Sequence, residues 1–151
     1  MFLGSILQEN VLRSDDPGFS FYPKVKVFKI YVRPHYIKLI EKIKASIVNP
    51  KTRIILTGTP GVGKSLFAVG LVKDIIDNQQ QYPNITSIVY RRYVTGNNRY
   101  YAFKYQGNQW VRGTVDPTSP PSLYICDDSG HDFVTWDGCP NIFITSPRVR
   151  F

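Results

Sequence analysis

A glycine-rich turn, Gly58 to Ser65, has the residue types and spacing of a phosphate-binding loop. It follows the pattern G-x-x-x-x-G-K-[ST], in which successive backbone N–H groups surround nucleotide phosphates. Lys64 would bring a positive charge to the β- and γ-phosphates, and the Ser65 hydroxyl would bind Mg²⁺. The sequence therefore predicts a site for ATP or GTP with Mg²⁺. The residues expected to contact the nucleotide are Gly58, Thr59, Pro60, Gly61, Val62, Gly63, Lys64, Ser65 and Leu66.

The segments on either side of this turn match the elements that a phosphate-binding loop connects. Before it, Ile54 to Thr57 is rich in β-branched residues, as in a buried strand. After it, apolar residues recur at helical spacing, and the N-terminus of that helix would face the phosphates with its free N–H groups. The alternative is a structural glycine-rich connection with an incidental lysine. The two apolar rows are Phe67, Leu71, Ile75 and Ala68, Val72, Ile76.

A second group of candidate residues follows a later apolar run, Leu123 to Cys126. Asp127 would hold Mg²⁺ through its water shell at the carboxyl end of this strand, and Asp128 would polarise the attacking water. The alternative is a strand that runs into an aspartate turn.

The next apolar run, Asn141 to Thr145, ends before Ser146-Pro147-Arg148, where Arg148 would meet a γ-phosphate. A solvated arginine in an X-Pro turn fits the same residues equally well. The predicted catalytic residues are Lys64, Asp128 and Arg148, and the predicted Mg²⁺ ligands are Ser65 and Asp127.

These segments predict an α/β fold with a mostly parallel sheet, helices on both faces and an inserted β-hairpin. An amphipathic helix should begin at Pro34, which suits the first helical position. A strand is expected between Lys24 and Val32, and residues 1–13 can form a short helix. We expect further strands near 54–57, 86–92, 123–127 and 141–145, and a hairpin of 100–105 and 109–115 about Gly107-Asn108.

The chain is strongly basic, with a net charge of +8 over 151 residues and a pI near 9.6. Between Asn78 and Val115 there is no acidic residue, and hairpin aromatics lie beside cations. Such a surface can bind nucleic acid by base stacking. Aromatics also favour strands, and a solvated basic surface explains the charge as well. The cations are Arg91, Arg92, Arg99, Lys104 and Arg112; the aromatics are Tyr101, Phe103, Tyr105 and Trp110.

Composition limits the remaining classes. Cys126 and Cys139 give neither a disulfide framework nor metal-ligand spacing, which indicates a reducing intracellular compartment. Residues 1–7 lack the basic start of a signal peptide, and no apolar run is long enough to span a membrane.

Together the motifs resemble the P-loop NTPase domain of Crinkler-type effectors and retrotransposon hot spot proteins. The resemblance rests on Tyr31 to Tyr36, Gly58 to Phe67, Asp127-Asp128 and Ile144 to Arg148. It implies an NTPase that acts in the host nucleus with DNA as a candidate partner. It also implies that residues 25–151 form the NTPase domain after an N-terminal extension, 1–24.

Two departures from this group shape the expectations. No ubiquitin-like header precedes residue 25, and the sequence ends at Phe151 after the fourth core strand, where the group continues; we therefore expect a domain that is incomplete at its C-terminus. The edge of the P-loop strand would then be covered by the N-terminal strand, by a partner or by self-association. The expected activity is slow hydrolysis of ATP or GTP. A nucleotide-binding interaction module without turnover is the first alternative, and a small-molecule kinase is the second.

Overall fold

The computed structural model describes residues 11–14, 28–31, 34–57, 64–94, 97–127 and 135–145. Within these ranges the helices are α1 (Pro34–Ser46) and α2 (Lys64–Asp77), and a short 3-10 turn spans Gln79–Gln81. The strands are β1 (Val11–Ser14), β2 (Phe28–Tyr31), β3 (Arg53–Thr57), β4 (Ser87–Val94), β5 (Asn97–Gln106), β6 (Gln109–Gly113), β7 (Leu123–Asp127) and β8 (Asn141–Thr145).

Six strands form one sheet in the order β3-β8-β7-β4-β5-β6. The first four are parallel neighbours, and β5 and β6 continue the sheet in antiparallel fashion. The predicted α/β class and mostly parallel sheet are therefore confirmed. The strands expected at 54–57 and 123–127 lie in the same sheet, and β8 is inserted between them.

The sheet has an apolar cluster on each face. On one face, both helices pack over the inward side chains of the central strands, and α2 lies across β7 and β8. The other face carries a smaller cluster that includes Tyr124, Phe143 and Trp136. The prediction of helices on both faces is wrong for the described residues. The two apolar rows of α2 cover the same side of the sheet as Ile40 and Ile43 of α1.

Strands β7 and β8 are buried on both faces of the sheet, which explains why their sequences are continuous apolar runs without alternation. In contrast, β3 alternates between exposed and half-buried residues. Among the described strands it pairs with β8 alone, and Ile55, on the face opposite to the helices, is 59% exposed. The expected open edge beside the P-loop strand is thus seen in the described part of the chain. What covers it stays a prediction.

The predicted hairpin is confirmed and is longer than expected. Gly107 and Asn108 have φ values of +58° and +66°, which are the left-handed angles that a type I′ turn requires. Strand β5 begins at Asn97 and pairs along the whole of β4, from Ser87 with Lys104 to Val94 with Asn97. The hairpin and β4 therefore form a three-stranded antiparallel meander that widens the parallel sheet.

The N-terminal strands form a separate two-stranded sheet, in which β1 pairs antiparallel with β2. The prediction of a short helix over residues 1–13 is wrong at its C-terminal end, because Val11 begins a strand. Residues 1–10 lie outside the described part. The strand expected between Lys24 and Val32 is confirmed by β2. Its partner, β1, comes from the segment predicted to be an extension, so the pairing crosses the expected domain boundary at residue 24. Strand β2 pairs with β1 and not with β3.

Helix α1 begins at Pro34 as predicted, and it buries Ile40 and Ile43 against the core; Ile47, just after its end, is buried too. Neither described helix is long and apolar enough to cross a membrane. Both cysteines of the chain, Cys126 and Cys139, are buried and free.

Candidate functional site

The carboxyl ends of β3, β8 and β7 lie side by side at one edge of the sheet. Thr57 is level with Thr145, and Ile144 lies between Leu56 and Asp127. Since neighbouring strands are about 4.8 Å apart, Leu56 and Asp127 are separated by roughly 10 Å across β8. The predicted Mg²⁺ ligand and the end of the P-loop strand thus meet at the same edge of the sheet.

Helix α2 starts at this edge with Lys64, immediately after the predicted loop. Ser65 and Leu66 follow in its first turn. The position of this turn is fixed by packing, because the buried Phe67 ring meets the Tyr36 ring of α1 edge-on at 5.3 Å between centroids. Lys64 is half-buried and already has an interaction within the protein. The aromatic contact couples the start of α2 to the start of α1.

Asp127 is the last residue of β7 and is only 8% exposed. Because side chains alternate along a strand, it lies on the same face as Leu123 and Ile125, which is the face that α2 covers. The carboxylate and the first turn of α2 therefore share one side of the sheet.

Tyr90 holds the Asp127 carboxylate in place. The fully buried Tyr90 hydroxyl donates a hydrogen bond to Asp127 Oδ2 at 2.9 Å from the neighbouring strand β4. Among the described residues, no side chain or backbone group donates to Asp127 Oδ1. Within the part of the chain that the structure describes, one carboxylate oxygen is therefore used to orient the group and the other accepts no hydrogen bond.

Sequence reasoning missed Tyr90. Tyr90 lies within the strand predicted near 86–92, and its role depends on the register that sets it level with Ile125, two residues before Asp127. That register is a property of the folded sheet. A buried tyrosine in a central strand was the one available signal, because such a hydroxyl usually has a hydrogen-bond partner.

Several predicted site residues lie outside the described part of the chain, and their roles stay predictions. They are Gly58, Thr59, Pro60, Gly61, Val62, Gly63, Asp128 and Arg148. Within the described ranges, no group of three or more histidine, cysteine or acidic side chains is arranged as a metal site. Serine and water ligands of the kind expected here would not form such a group.

The cations of the middle segment do not form one open surface. Arg91 is only 7% exposed and lies on the face opposite the helices, where it donates hydrogen bonds to Cys126 Sγ at 3.3 Å and to Asn98 Oδ1 at 2.9 Å. Arg99 and Arg112 are exposed, and Arg92 is half-buried. Arg91 is therefore part of the fold, and the surface available to an anionic partner is smaller than the sequence suggests.

The hairpin aromatics divide between the core and its margin. Phe103 is buried, and Tyr101 and Trp110 are half-buried against the helix-side cluster. The Arg112 guanidinium lies over the Tyr101 ring at 5.5 Å. These contacts favour the packing interpretation for Tyr101 and Phe103. DNA binding by stacking on these two rings has no support here.

A second buried carboxylate, Asp74, lies near the C-terminal end of α2. Its Oδ1 accepts a hydrogen bond from Asn78 Nδ2 at 2.7 Å, and its Oδ2 accepts one from the Tyr82 hydroxyl at 2.5 Å. Burial raises the pKa of Asp74 above its ordinary value of 3.8, although both hydrogen bonds and the charge of Lys44 oppose the shift. Lys44 lies over the Tyr82 ring at 5.1 Å and so ties α1 to this network.

No protein-family model, no curated protein and no solved structure matches the chain.

Proposed function

We propose that this protein binds ATP or GTP with Mg²⁺ at the edge of the sheet where β3, β8 and β7 end. The observation that carries the proposal is the position of Asp127. Its buried carboxylate is oriented by Tyr90, and none of the described residues donates a hydrogen bond to its other oxygen. Strand β8 separates it from the P-loop strand, and it lies on the face where α2 begins with Lys64-Ser65.

The strand order also supports this assignment. An extra strand, β8, lies between β3 and the Asp127 strand, and such an extra strand is a feature of the additional-strand class of P-loop NTPases. Parallel strands bind ligands outside their carboxyl ends, at the edge that these residues share. In this proposal Lys64 contacts the β- and γ-phosphates, and Ser65 and Asp127 hold Mg²⁺ directly and through water.

The proposed reaction is slow hydrolysis of the bound triphosphate. Asp128 would orient the attacking water, and Arg148 would offset the charge that develops on the transferred phosphoryl group. Both roles are inferred from the positions of Asp128 and Arg148 in the sequence. Membership of the Crinkler-like NTPase group is likewise inferred from the sequence motifs. Single-turnover measurements should give a rate below about 1 s⁻¹, the lower end for competent kinases. Faster turnover would contradict slow hydrolysis, and no turnover with intact binding would favour an interaction module.

Nucleotide-dependent thermal stability tests the binding proposal. A ligand at 100 times its dissociation constant stabilises the native state by about 2.7 kcal/mol, which corresponds to a Tm increase of roughly 5–10 °C for a domain of this size. Mg²⁺-ATP or Mg²⁺-GTP should raise the Tm of the wild-type protein by this amount. Lys64→Ala should abolish most of the increase, because the cation that meets the β- and γ-phosphates is lost.

Lys73→Ala is the matched control, since Lys73 lies on the same helix and pairs with Asp77 at 3.5 Å, far from the proposed site. This variant should keep the full nucleotide effect. An equal effect of nucleotide on wild type and Lys64→Ala would show that the loop is not the phosphate site.

A further inference from the structure

A cavity of about 490 Å³ lies at the end of the sheet opposite to Asp127. It opens between the C-terminal end of α2, the 3-10 turn and the tip of the β5–β6 hairpin. Along α2, Lys64 and Asp77 are about 20 Å apart. A mononucleotide at the Lys64 site therefore cannot fill this cavity. Its volume is within the range of small-molecule sites, which is roughly 300–1,000 Å³.

The lining of the cavity is rich in amides and almost without charge. Glutamine side chains come from the 3-10 turn and from β6, and the single carboxylate, Asp77, is paired with Lys73 at 3.5 Å. Among the described residues, no lysine or arginine lines the cavity, which argues against a phosphate ligand. The main lining residues are Gln79, Gln80, Gln81, Gln109, Tyr105 and Trp110.

Two aromatic rings form one wall. The Tyr105 and Trp110 rings are 5.7 Å apart between centroids and tilted by 49°, and both are half-buried. Since Trp110 also packs against the core, its position is fixed. A rigid aromatic wall beside amide groups suits a flat ligand with polar edges.

Two polar atoms in this lining lack partners. Gln79 Oε1 and Trp110 Nε1 are buried and form no hydrogen bond with any residue that the structure describes. Buried polar atoms are almost always paired, and the exceptions call for an explanation. The indole N–H is a donor and the amide oxygen is an acceptor, so together they complement a ligand edge with one acceptor and one donor. Rotation of the Gln79 side chain about its flexible torsions would bring its amide oxygen to such an edge.

We propose that this cavity binds a nucleobase. A base offers a neutral flat ring with donor and acceptor atoms on one edge, glutamine amides pair with such edges, and bases stack on tyrosine and tryptophan. The absence of a cation in the lining excludes recognition of the phosphate but not of the base. The same chemistry serves a free nucleoside and a base of a single-stranded nucleic acid, whose phosphates would remain outside the cavity.

Indole N–H signals in a ¹H–¹⁵N NMR spectrum test this proposal, because the chain has two tryptophans, Trp110 and Trp136. Trp136 packs against Tyr124 on the other face of the sheet and serves as an internal control. Trp110→Phe assigns the two signals. Addition of adenosine, guanosine, cytidine or uridine to the wild-type protein should shift the Trp110 indole signal and leave that of Trp136 in place.

Two variants sharpen the result. Gln79→Ala should weaken nucleoside binding about tenfold, because one hydrogen bond to the base is lost. Gln106→Ala is the matched control, since Gln106 is exposed on the same hairpin and does not line the cavity. Lys64→Ala should bind nucleosides as the wild type does, which separates this site from the proposed triphosphate site.

A short mixed-sequence single strand distinguishes the two sources of the base. If it shifts the Trp110 signal at a lower concentration than any nucleoside, a nucleic acid is the source; the reverse order indicates a free nucleoside. The proposal is wrong if neither probe moves this signal at millimolar concentration, if both indole signals move together, or if Gln106→Ala weakens binding as much as Gln79→Ala.

Discussion

A buried aspartate lies beside a tyrosine near each end of α2, Asp74 on the helix itself and Asp127 on β7, and the two carboxylates are used differently. At the C-terminal end, both oxygens of Asp74 accept hydrogen bonds, from Asn78 and from Tyr82. At the N-terminal end, Asp127 accepts one bond from Tyr90 through Oδ2, and among the described residues nothing donates to its other oxygen. The first carboxylate is saturated within the fold, and the second is oriented but incomplete.

This difference separates a structural carboxylate from a candidate ligand group. A buried charge costs free energy unless it is paired, so a fold keeps an incompletely bonded carboxylate only at some expense of stability. Asp74 joins α2 to the following turn, and its partners explain its burial. For Asp127, the partner that we propose is hydrated Mg²⁺, which would approach from the sheet edge.

Removal of the saturated carboxylate should have the larger effect on folding. Asp74→Ala leaves the Tyr82 hydroxyl and the Asn78 amide buried without their partner, and we expect the free energy of unfolding to fall by about 2–4 kcal/mol. Urea denaturation measures it. Asp77→Ala, which removes an exposed carboxylate from the same helix turn, should cost less than about 1 kcal/mol. Similar losses for the two variants would show that the network contributes little.

The pH dependence of folding stability is a second way to distinguish Asp74 from Asp127. Its pKa is raised in the folded protein, so the folded state binds the proton more tightly than the unfolded state does. The stability that Asp74 contributes is therefore greatest below its ordinary pKa of 3.8 and falls as the pH rises through the raised value. In urea denaturation between pH 3 and pH 7, the wild type should lose stability relative to Asp74→Asn as the pH increases. A difference that is constant with pH, or that grows in favour of the wild type, would contradict this assignment.

The sequence predicted the elements of this site better than the contacts that complete it. The strand before the loop, the start of α2 and the position of Asp127 at a strand end follow from local periodicity and glycine spacing. Tyr90 and the buried state of Arg91 do not, because both depend on which strands are neighbours and in what register. Helices on both faces of the sheet were expected from the α/β pattern, but periodicity does not say on which face of a sheet a helix packs.

Loss of the orienting hydroxyl should have a smaller effect than loss of either carboxylate. Tyr90→Phe removes one hydrogen bond and keeps the buried ring, so the free energy of unfolding should change by about 1 kcal/mol. Because Asp127 Oδ2 is then no longer held, the Mg²⁺ concentration needed for half-maximal nucleotide binding should rise severalfold, as is usual when a group behind a metal ligand is removed. Tyr100→Phe, at an exposed position of β5, is the matched control and should change neither quantity. An unchanged Mg²⁺ requirement in Tyr90→Phe would show that this hydrogen bond does not position a metal ligand.

The Mg²⁺ dependence of nucleotide binding in Asp127→Asn tests the central claim most directly. Titration of a fluorescent ATP or GTP analogue, with Mg²⁺ and with EDTA, gives the factor by which the metal strengthens binding. Wild type and the control Asp77→Asn should show a clear increase with Mg²⁺. Asp127→Asn should retain the metal-free affinity set by the loop and Lys64 and lose most of the increase. If Asp127→Asn keeps the full Mg²⁺ effect, or if the wild type binds neither nucleotide, the assignment of this edge of the sheet as a Mg²⁺-nucleotide site is wrong.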